Sequence, residues 1–332
     1  MNKKVKKIFQ SNEPYIFLII ILLGIVVQIR SGQFFTANNI VDLLSAMIVP
    51  GLFAIAEFMA LIAGGIDVSF PAIACASLYI PICVFKENDI DNVVLAFVFA
   101  AAIGLVIGII NAVLISLLQI PPLIATLGVS SITQGMLLTF FGTRQISRLP
   151  STIAALNKVY LFTYQSKAGN NYSMTALILV PIILYIVIYI VLKYTMLGRG
   201  IYAIGGDANA ARIAGFNVVR LQFIVYMFSG VMAGIAGMIY CVLNKAANPL
   251  NLMGSEMMII AAVVVGGTRM SGGHGTVLGT ILGVVLIGLI QNNLIMLGVP
   301  TYWQTFVVGA VIVVGTAITS LKELAVQKNQ KV

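Results

Sequence analysis

The chain has 332 residues, of which 60% are hydrophobic and only 9% charged, and its formal net charge is +9. Soluble globular domains carry about 25% charged residues, so this composition excludes an ordinary soluble protein and predicts several membrane crossings. The apolar runs are continuous, which favours helices over the alternating pattern of barrel strands. The basic residues cluster at the ends of these runs, and this argues against a nucleic-acid partner.

The hydropathy pattern predicts an all-α polytopic membrane protein with one domain over residues 1–332 and about ten transmembrane helices. The predicted spans are 15–29, 48–63, 70–85, 93–118, 123–141, 174–192, 221–243, 257–265, 276–296 and 302–320. Four lysines at positions 3, 4, 6 and 7 place the N-terminus in the cytoplasm, and ten spans return the C-terminus to that side. Most of the nineteen Lys and Arg residues then lie in the cytoplasm, as the positive-inside rule requires.

Two hydrophilic segments stand out under this topology, an outer loop at 142–173 and a cytoplasmic loop at 193–220. The second contains a Gly-Gly turn, Asp207 as a helix N-cap, a run of helix formers and Gly215 as a stop. We expect a short exposed helix whose small side chains let a partner approach closely. The candidate contact residues are Gly206, Asp207, Ala208, Ala211, Arg212 and Gly215. The alternative is an amphipathic helix at the lipid headgroups with no partner.

Two glycine-rich breaks interrupt the apolar pattern, GGIDVS at 64–69 and GGTRMSGGHG at 266–275. Their similarity suggests an internal duplication, with both breaks facing the cytoplasm. Asp67 and Glu256 are expected to cap the third and eighth spans, because a carboxylate at a helix N-terminus meets unpaired N–H groups and the positive end of the dipole.

Four polar residues on or near spans are candidates for a substrate pathway: Glu57, Asn111, Gln134 and Gln304. A carboxylate at membrane depth costs several kcal/mol, so Glu57 is expected to face protein or a water-filled path. Each of these residues could instead tie helices together, with Glu57 protonated or hydrogen-bonded across them. The glycines of FSGVMAGIAGM, at 228–238, are predicted to allow close helix packing.

Catalytic chemistry finds little support in the sequence. There is no phosphate-binding G-x-x-x-x-G-K-[ST] loop, so the chain is not expected to hydrolyse ATP by itself. His274 is the single histidine, and the three cysteines show no metal-binding or redox spacing. We therefore expect no catalytic residues, no metal and no cofactor bound by this chain.

Five stretches read in order resemble the ribose/xylose-type permease family, the membrane-spanning subunits of bacterial ABC sugar importers. They are GGIDVS at 64–69, NAVL at 111–114, IPPLIATLG at 120–128, GRGIYAIGGDANAARIAGFNV at 198–218 and EMMIIAAVVVGGTRMSGGHGTVLGTILG at 256–283. Any one of these glycine motifs would be weak, but five in register cover nearly the whole chain.

The resemblance implies a multi-pass protein of the bacterial plasma membrane that imports a small polar solute by alternating access. It implies two cytoplasmic ATP-binding subunits that hold ATP and Mg, an external solute-binding protein and a second permease copy or paralogue. On this analogy, residues 207–215 form the helix that couples the permease to the ATPase. The sequence departs from the family pattern at Glu57, Phe70-Pro71, Gln134 and Arg269. These departures weaken the case for ribose or xylose itself. We expect a sugar or sugar derivative, and related permeases also carry nucleosides or branched-chain amino acids.

Two other functions are weighed against this one. An ion- or proton-coupled secondary transporter would use Glu57 as its coupling residue and would need no ATPase. A membrane scaffold or receptor would move no solute.

Overall fold

The computed structural model describes residues 13–165, 171–294 and 298–300, with residues 303, 306, 307, 309, 310 and 313. The N-terminal lysines, Gln304 and most of the predicted tenth span lie outside the described residues. The helices are α1 (Glu13–Ser31), α2 (Ala37–Ala46), α3 (Ile48–Ile62), α4 (Phe70–Glu87), α5 (Val93–Ala112), α6 (Pro122–Phe141), α7 (Ser151–Leu156), α8 (Leu179–Tyr194), α9 (Met196–Gly206), α10 (Ala208–Ile213), α11 (Val218–Asn244), α12 (Glu256–Val265) and α13 (Val277–Asn293). A π-helical turn (Val113–Leu117) extends α5, and a 3₁₀ turn (Ala176–Ile178) precedes α8.

Within the described residues, six helices are long and apolar enough to cross a membrane, or seven if α2 and α3 together form one bent span. This confirms a polytopic membrane protein. The predicted eighth and ninth spans correspond to α12 and α13, which have 10 and 17 residues. The first is too short to cross a membrane by itself, and the second reaches only the lower limit of about 17 residues. The prediction of ten spans is therefore not reached in this part of the chain, and the positions of the termini and the internal repeat stay predictions.

The helix α3 lies at the centre of the bundle, since every one of its residues except Pro50 is buried. It meets α2 at a bend of 41°. Pro50 explains the bend, because it has no N–H to donate to the carbonyl of Ala46 and its ring crowds that carbonyl. The approach helix and the second span of the sequence analysis are thus one broken element.

The longest helix, α11, packs against α3, α4 and α5. Glycines let the backbones touch: a Cβ atom placed on Gly230 would lie 2.2 Å from Gly104 O, and one on Gly237 would lie 2.3 Å from Ala74 O. Gly234 approaches the backbone of α5 in the same way, with its Cβ position 2.4 Å from Ala100 O. The predicted use of these glycines in close helix packing is confirmed.

One end of the bundle gathers the segments before α5, after α6 and after α11. Asp91 accepts a hydrogen bond from the Ser151 hydroxyl, and Ile146 and Ala247 exchange backbone hydrogen bonds of 2.9 Å. These contacts agree with the predicted topology, in which all three segments lie outside.

The fold is not purely helical, because the predicted outer loop contains a two-stranded antiparallel hairpin, β1 (Tyr160–Gln165) and β2 (Asn171–Thr175). Helix α7 precedes it. The strands follow from the β-formers Tyr, Phe and Thr in YLFTYQ and from the alternation of polar and apolar residues in NYSMT, patterns that the sequence analysis did not assign.

The predicted cytoplasmic loop at 193–220 is also more ordered than expected. It consists of α9 and α10 joined at Asp207, with the Thr195 hydroxyl accepting from Gly198 N at the start of α9. The segment is a pair of short helices packed on the bundle, with α9 contacting α3, α8 and α11.

Candidate functional site

Residues 63–69 run without helical structure between α3 and α4, inside the bundle. Buried backbone at membrane depth needs internal hydrogen-bond partners, because lipid supplies none. Glu57 of α3 and Thr126 of α6 bind the backbone of this segment, whereas Asn111 of α5 and Ser229 of α11 bind its side chains. Together with two side chains of the break they form the buried polar cluster: Glu57, Asp67, Ser69, Asn111, Thr126 and Ser229.

The two carboxylates of this cluster have different surroundings. Glu57 Oε2 accepts the backbone N–H of Asp67 at 3.2 Å, whereas Glu57 Oε1 is buried and has no hydrogen-bond partner. Asp67 Oδ1 accepts from the Ser69 hydroxyl at 2.6 Å and from Ser69 N at 2.9 Å, and Oδ2 accepts from the Ser229 hydroxyl at 2.6 Å. Three donors thus fix the Asp67 carboxylate, and a single contact fixes that of Glu57.

The remaining members tie neighbouring helices to the break. Asn111 Nδ2, on α5, donates to the Ser69 hydroxyl oxygen at 2.7 Å, and Thr126 Oγ1, on α6, accepts from Val68 N at 3.2 Å. The amide oxygen of Asn111 is buried without a partner. All six members of the cluster are fully buried, so the structure shows no open path through them.

The expected caps take other positions. Ser69, not Asp67, is the N-cap of α4, and Asp67 stands two residues earlier, where it binds Ser69 and Ser229. Ser255, not Glu256, is the N-cap of α12. Both predictions of capping were therefore wrong in position, because Asp67 lies two residues before the N-cap of α4 and Glu256 lies within the first turn of α12.

The four candidate pathway residues are not brought together. Glu57 and Asn111 belong to the buried polar cluster, but Gln134 is half-buried on α6 with no hydrogen bond to the cluster, and Gln304 lies outside the described residues. A pathway role for these residues stays a prediction. Ser229 and Thr126 were missed, although an isolated Ser or Thr within an apolar run is the signal that could have identified them.

A second site of interest is the short helix α10. Asp207 is its N-cap, as predicted, and Oδ1 accepts from Asn209 N at 2.8 Å and from Ala210 N at 3.0 Å. Gly215 follows the helix with φ of +90°, a conformation that favours glycine.

The exposed side chains of α10 are not the same set as the predicted contact residues. Ala211 is 3% exposed and packs inward, so the proposed contact surface does not include it. Ala208 and Arg212 are exposed, and Ile213 is 89% exposed, more than any other large apolar side chain among the described residues. Gly206 is also exposed. The sequence analysis overlooked Ile213 because it reads locally as an ordinary apolar helix position.

Helix α9 connects the exposed helix α10 to the end of the central helix α3. A Cβ atom placed on Gly205 would lie 1.9 Å from Ile62 O and 2.6 Å from Gly273 N. Gly273 N itself donates to Ile62 O at 3.0 Å, and Gly272 lies against Gly64. We call Gly64, Gly205, Gly272 and Gly273 the glycine junction. It joins the end of α9, the end of α3 and the break that precedes α13.

Residues 39–315 match the family described as the branched-chain amino acid transport system permease component. The chain belongs to this permease family. It is 31% identical to the D-allose transport system permease protein of Escherichia coli strain K12, over 92% of this chain and 90% of that protein. It is 32% identical to the ribose import permease protein of Bacillus subtilis strain 168, over 92% of each chain. No solved structure matches the chain.

These similarities confirm the resemblance on which the sequence analysis relied. Members of the family are permease components of transport systems and not enzymes. With several apolar helices, the chain is a multi-pass protein of the bacterial inner membrane.

Proposed function

We propose that this chain is the membrane-spanning subunit of an ABC importer for a sugar or sugar derivative. Its curated relatives are permease proteins for D-allose, ribose and galactose/methyl galactoside, which supports a solute of this class. The partners are cytoplasmic ATP-binding subunits, which bind ATP and Mg, an external solute-binding protein and a second permease chain. The chain itself binds neither ATP nor Mg.

The observation that carries the proposal is the exposure of Ile213 on α10. A side chain of this size leaves most of its apolar surface in water only at a cost of roughly 1.5–3 kcal/mol relative to burial. Since Ala211 is buried, the surface that α10 presents to a partner consists of its exposed residues, Ala208, Asn209, Ala210, Arg212 and Ile213. Ile213 fills an apolar pocket of the ATP-binding subunit, and Arg212 contacts its polar rim.

The movement of α10 is transmitted through the glycine junction. Gly205 and Ile62 are in backbone contact, so α9 cannot shift without moving the end of α3. Helix α3 also carries Glu57 and thereby the buried polar cluster. ATP binding and hydrolysis in the partner therefore alternate the access of a central path by displacing α3 and the break that follows it.

The ion- or proton-coupled alternative has less support. The family consists of permease components, and the Glu57 carboxylate already accepts the Asp67 N–H that the break leaves unpaired. Those contacts account for a glutamate at this position without an ion-coupling role.

The test is co-purification of the chain with candidate ATP-binding subunits, comparing the wild type with Ile213→Asp. We expect the wild type to co-elute with one ATP-binding subunit and the variant to lose it, because a carboxylate cannot enter an apolar pocket without a partner. Leu161→Asp is the matched control, since Leu161 is an exposed apolar residue of β1. It should leave co-elution intact.

Equal co-elution of wild type and Ile213→Asp would refute the docking role of Ile213, and failure of the wild type to bind any ATP-binding subunit would refute the importer assignment. Ala211→Trp is a poorer test than it looks from the sequence, because Ala211 is buried and a bulky residue there would displace α10 itself.

A further inference from the structure

A cavity of about 360 Å³ lies where the bend between α2 and α3 faces the end of α11 and the start of α12. Ser45, Pro50 and Phe53 line one wall, and Tyr240, Asn244 and Ser255 line the other. This volume falls at the lower end of the range of small-molecule sites, which are mostly apolar with a few well-placed polar groups.

The polar groups in the cavity wall can still accept hydrogen bonds. Asn244 Nδ2 donates to Tyr240 O at 3.0 Å, which leaves its amide oxygen as an acceptor. The Ser255 hydroxyl donates to Leu252 O at 2.7 Å, so its oxygen lone pairs remain available. Aromatic rings with hydroxyl and amide acceptors suit a ligand that has C–H faces and many hydroxyl donors.

The position of the cavity agrees with an entry site. Its wall includes residues of the segment after α11, which is joined by the Ile146–Ala247 backbone pair to the segment after α6. This end of the bundle is the outer one in the predicted topology.

The bend beside the cavity has further free space. A second cavity of about 110 Å³ is lined by Ala46, Pro50, Met258 and Ile259, which also line the first, and by residues of α13. The segment around Pro50 therefore has unfilled volume on two sides, whereas the rest of α3 is buried in the bundle. A close-packed interior resists displacement, so movement of α3 is easiest at this bend.

We propose that the larger cavity binds a monosaccharide-sized polyhydroxylated solute on its way through the permease. This inference rests on the proposed function and assigns the solute a position within the chain. Asn244 and Ser255 accept hydrogen bonds from solute hydroxyl groups, and the ring of Tyr240 contacts the C–H face. The same helix, α3, runs from this cavity to Glu57 and on to Ile62 at the glycine junction, so a bound solute and the ATP-binding subunit act on one element.

The test uses Ser45→Cys, in the cavity wall and with no assigned solute contact, as a reporter in the complex of this chain with its ATP-binding subunit, after Cys75, Cys83 and Cys241 are changed to Ala. The measured quantity is the rate at which a membrane-impermeant maleimide labels the reporter, with D-ribose, D-allose or D-galactose present or absent. We expect labelling without sugar and severalfold slower labelling with at least one of the three. Sucrose at the same concentration controls for osmotic effects and should not protect.

A second substitution links the protection to the proposed contact. Asn244→Ala should raise the sugar concentration that gives half-protection by roughly two- to tenfold, as expected for one lost hydrogen bond. Asn157→Ala, at the C-cap of α7 on the same end of the bundle, is the matched control and should leave protection unchanged.

The proposal is overturned if the reporter is not labelled without sugar or if none of the three sugars protects it. It is also overturned if Asn244→Ala and Asn157→Ala need the same sugar concentration for half-protection. Co-elution of the ATP-binding subunit is measured on the same samples. A complex that forms without protection would refute the cavity site alone, whereas a chain that never binds an ATP-binding subunit would refute the proposed function.

Discussion

The Ser229 hydroxyl donates to Asp67 Oδ2 at 2.6 Å and so joins α11 to the non-helical break between α3 and α4. The two residues are 162 positions apart in the chain, and both are fully buried. This contact holds the break against the longest helix of the bundle. Removing it is therefore the most direct test of the buried polar cluster.

Ser229→Ala should destabilise the protein by about 1.5–3 kcal/mol, because it removes a buried hydrogen bond to a carboxylate. The measurement is the thermal unfolding midpoint of the detergent-solubilised chain. Ser131→Ala is the matched control, since the exposed Ser131 hydroxyl bonds only within α6, to Leu127 O. Equal midpoints for the two variants would contradict the role of Ser229.

Gly230→Ala should separate α5 from α11, because the added methyl would lie 2.2 Å from Gly104 O, a backbone atom that cannot move alone. Overpacking of this kind costs about 1–3 kcal/mol. Gly135→Ala in α6 serves as the control, since nothing lies within 4 Å of its Cβ position. The measurement is the thermal unfolding midpoint of both variants, which should fall only in Gly230→Ala. An unchanged midpoint for Gly230→Ala would show that the helices are less closely packed than described.

Glu57→Leu should cost about 1–3 kcal/mol, because it leaves the Asp67 N–H buried without an acceptor. Glu57→Gln should unfold close to the wild type, since its amide oxygen can accept the same hydrogen bond. Thermal unfolding of both variants compares the two effects.

The same Glu57→Gln variant separates the importer from the ion-coupled alternative. In proteoliposomes that contain the complete complex, we expect its sugar uptake to require ATP and to persist without a proton or sodium gradient. Uptake that follows an ion gradient in the wild type and disappears in Glu57→Gln would support the alternative instead.

The outer segments should respond to pH through Asp91. Hydrogen bonds from Ser151 and Thr152 lower the pKa of the Asp91 carboxyl below its ordinary value. Since the folded-state pKa is the lower one, the stabilisation is complete above the ordinary value of about 3.9 and is lost as the pH falls through the folded-state pKa.

Hydrogen exchange of the α7 amides can test this relationship. The protection factors of the wild type should exceed those of Asp91→Ala at neutral pH, and the two should converge only as the pH falls through the folded-state pKa of Asp91, which lies below the ordinary value. A difference that persists in strong acid would mean that Asp91 acts through something other than its charge.

Several features of the fold could be read from residue order alone. Continuous apolar runs marked the long helices, since a membrane requires about twenty apolar residues per crossing. The N-cap Asp207 and the terminating Gly215 were also readable, because capping depends on a few neighbouring residues. The departures concern short or irregular elements. The hairpin of β1 and β2 depends on strand pairing that local patterns do not report, whereas the short α12 was predicted within one residue of its observed bounds.

The candidate site likewise combines features that the local sequence predicts with contacts that it does not. A glutamate within an apolar run indicated a buried role for Glu57, and its burial is observed. Its partner, the Asp67 N–H, could not be foreseen, because it becomes available only where the chain leaves α3 and folds back. Sequence spacing likewise gave no means of separating Ala211, which packs inward, from Ile213, which does not.

The sequence by itself determined that this is a multi-pass helical membrane protein, because hydrophobic length and capping motifs are properties of consecutive residues. Its permease function was implied by the resemblance of five stretches to a known family. The tertiary structure alone decided which distant residues meet: Ser229 with Asp67, Gly205 with Ile62, and the bend at Pro50 with Asn244 across a cavity. These contacts depend on how the helices pack in three dimensions, and the free energy of packing is shared among residues that the chain order keeps far apart.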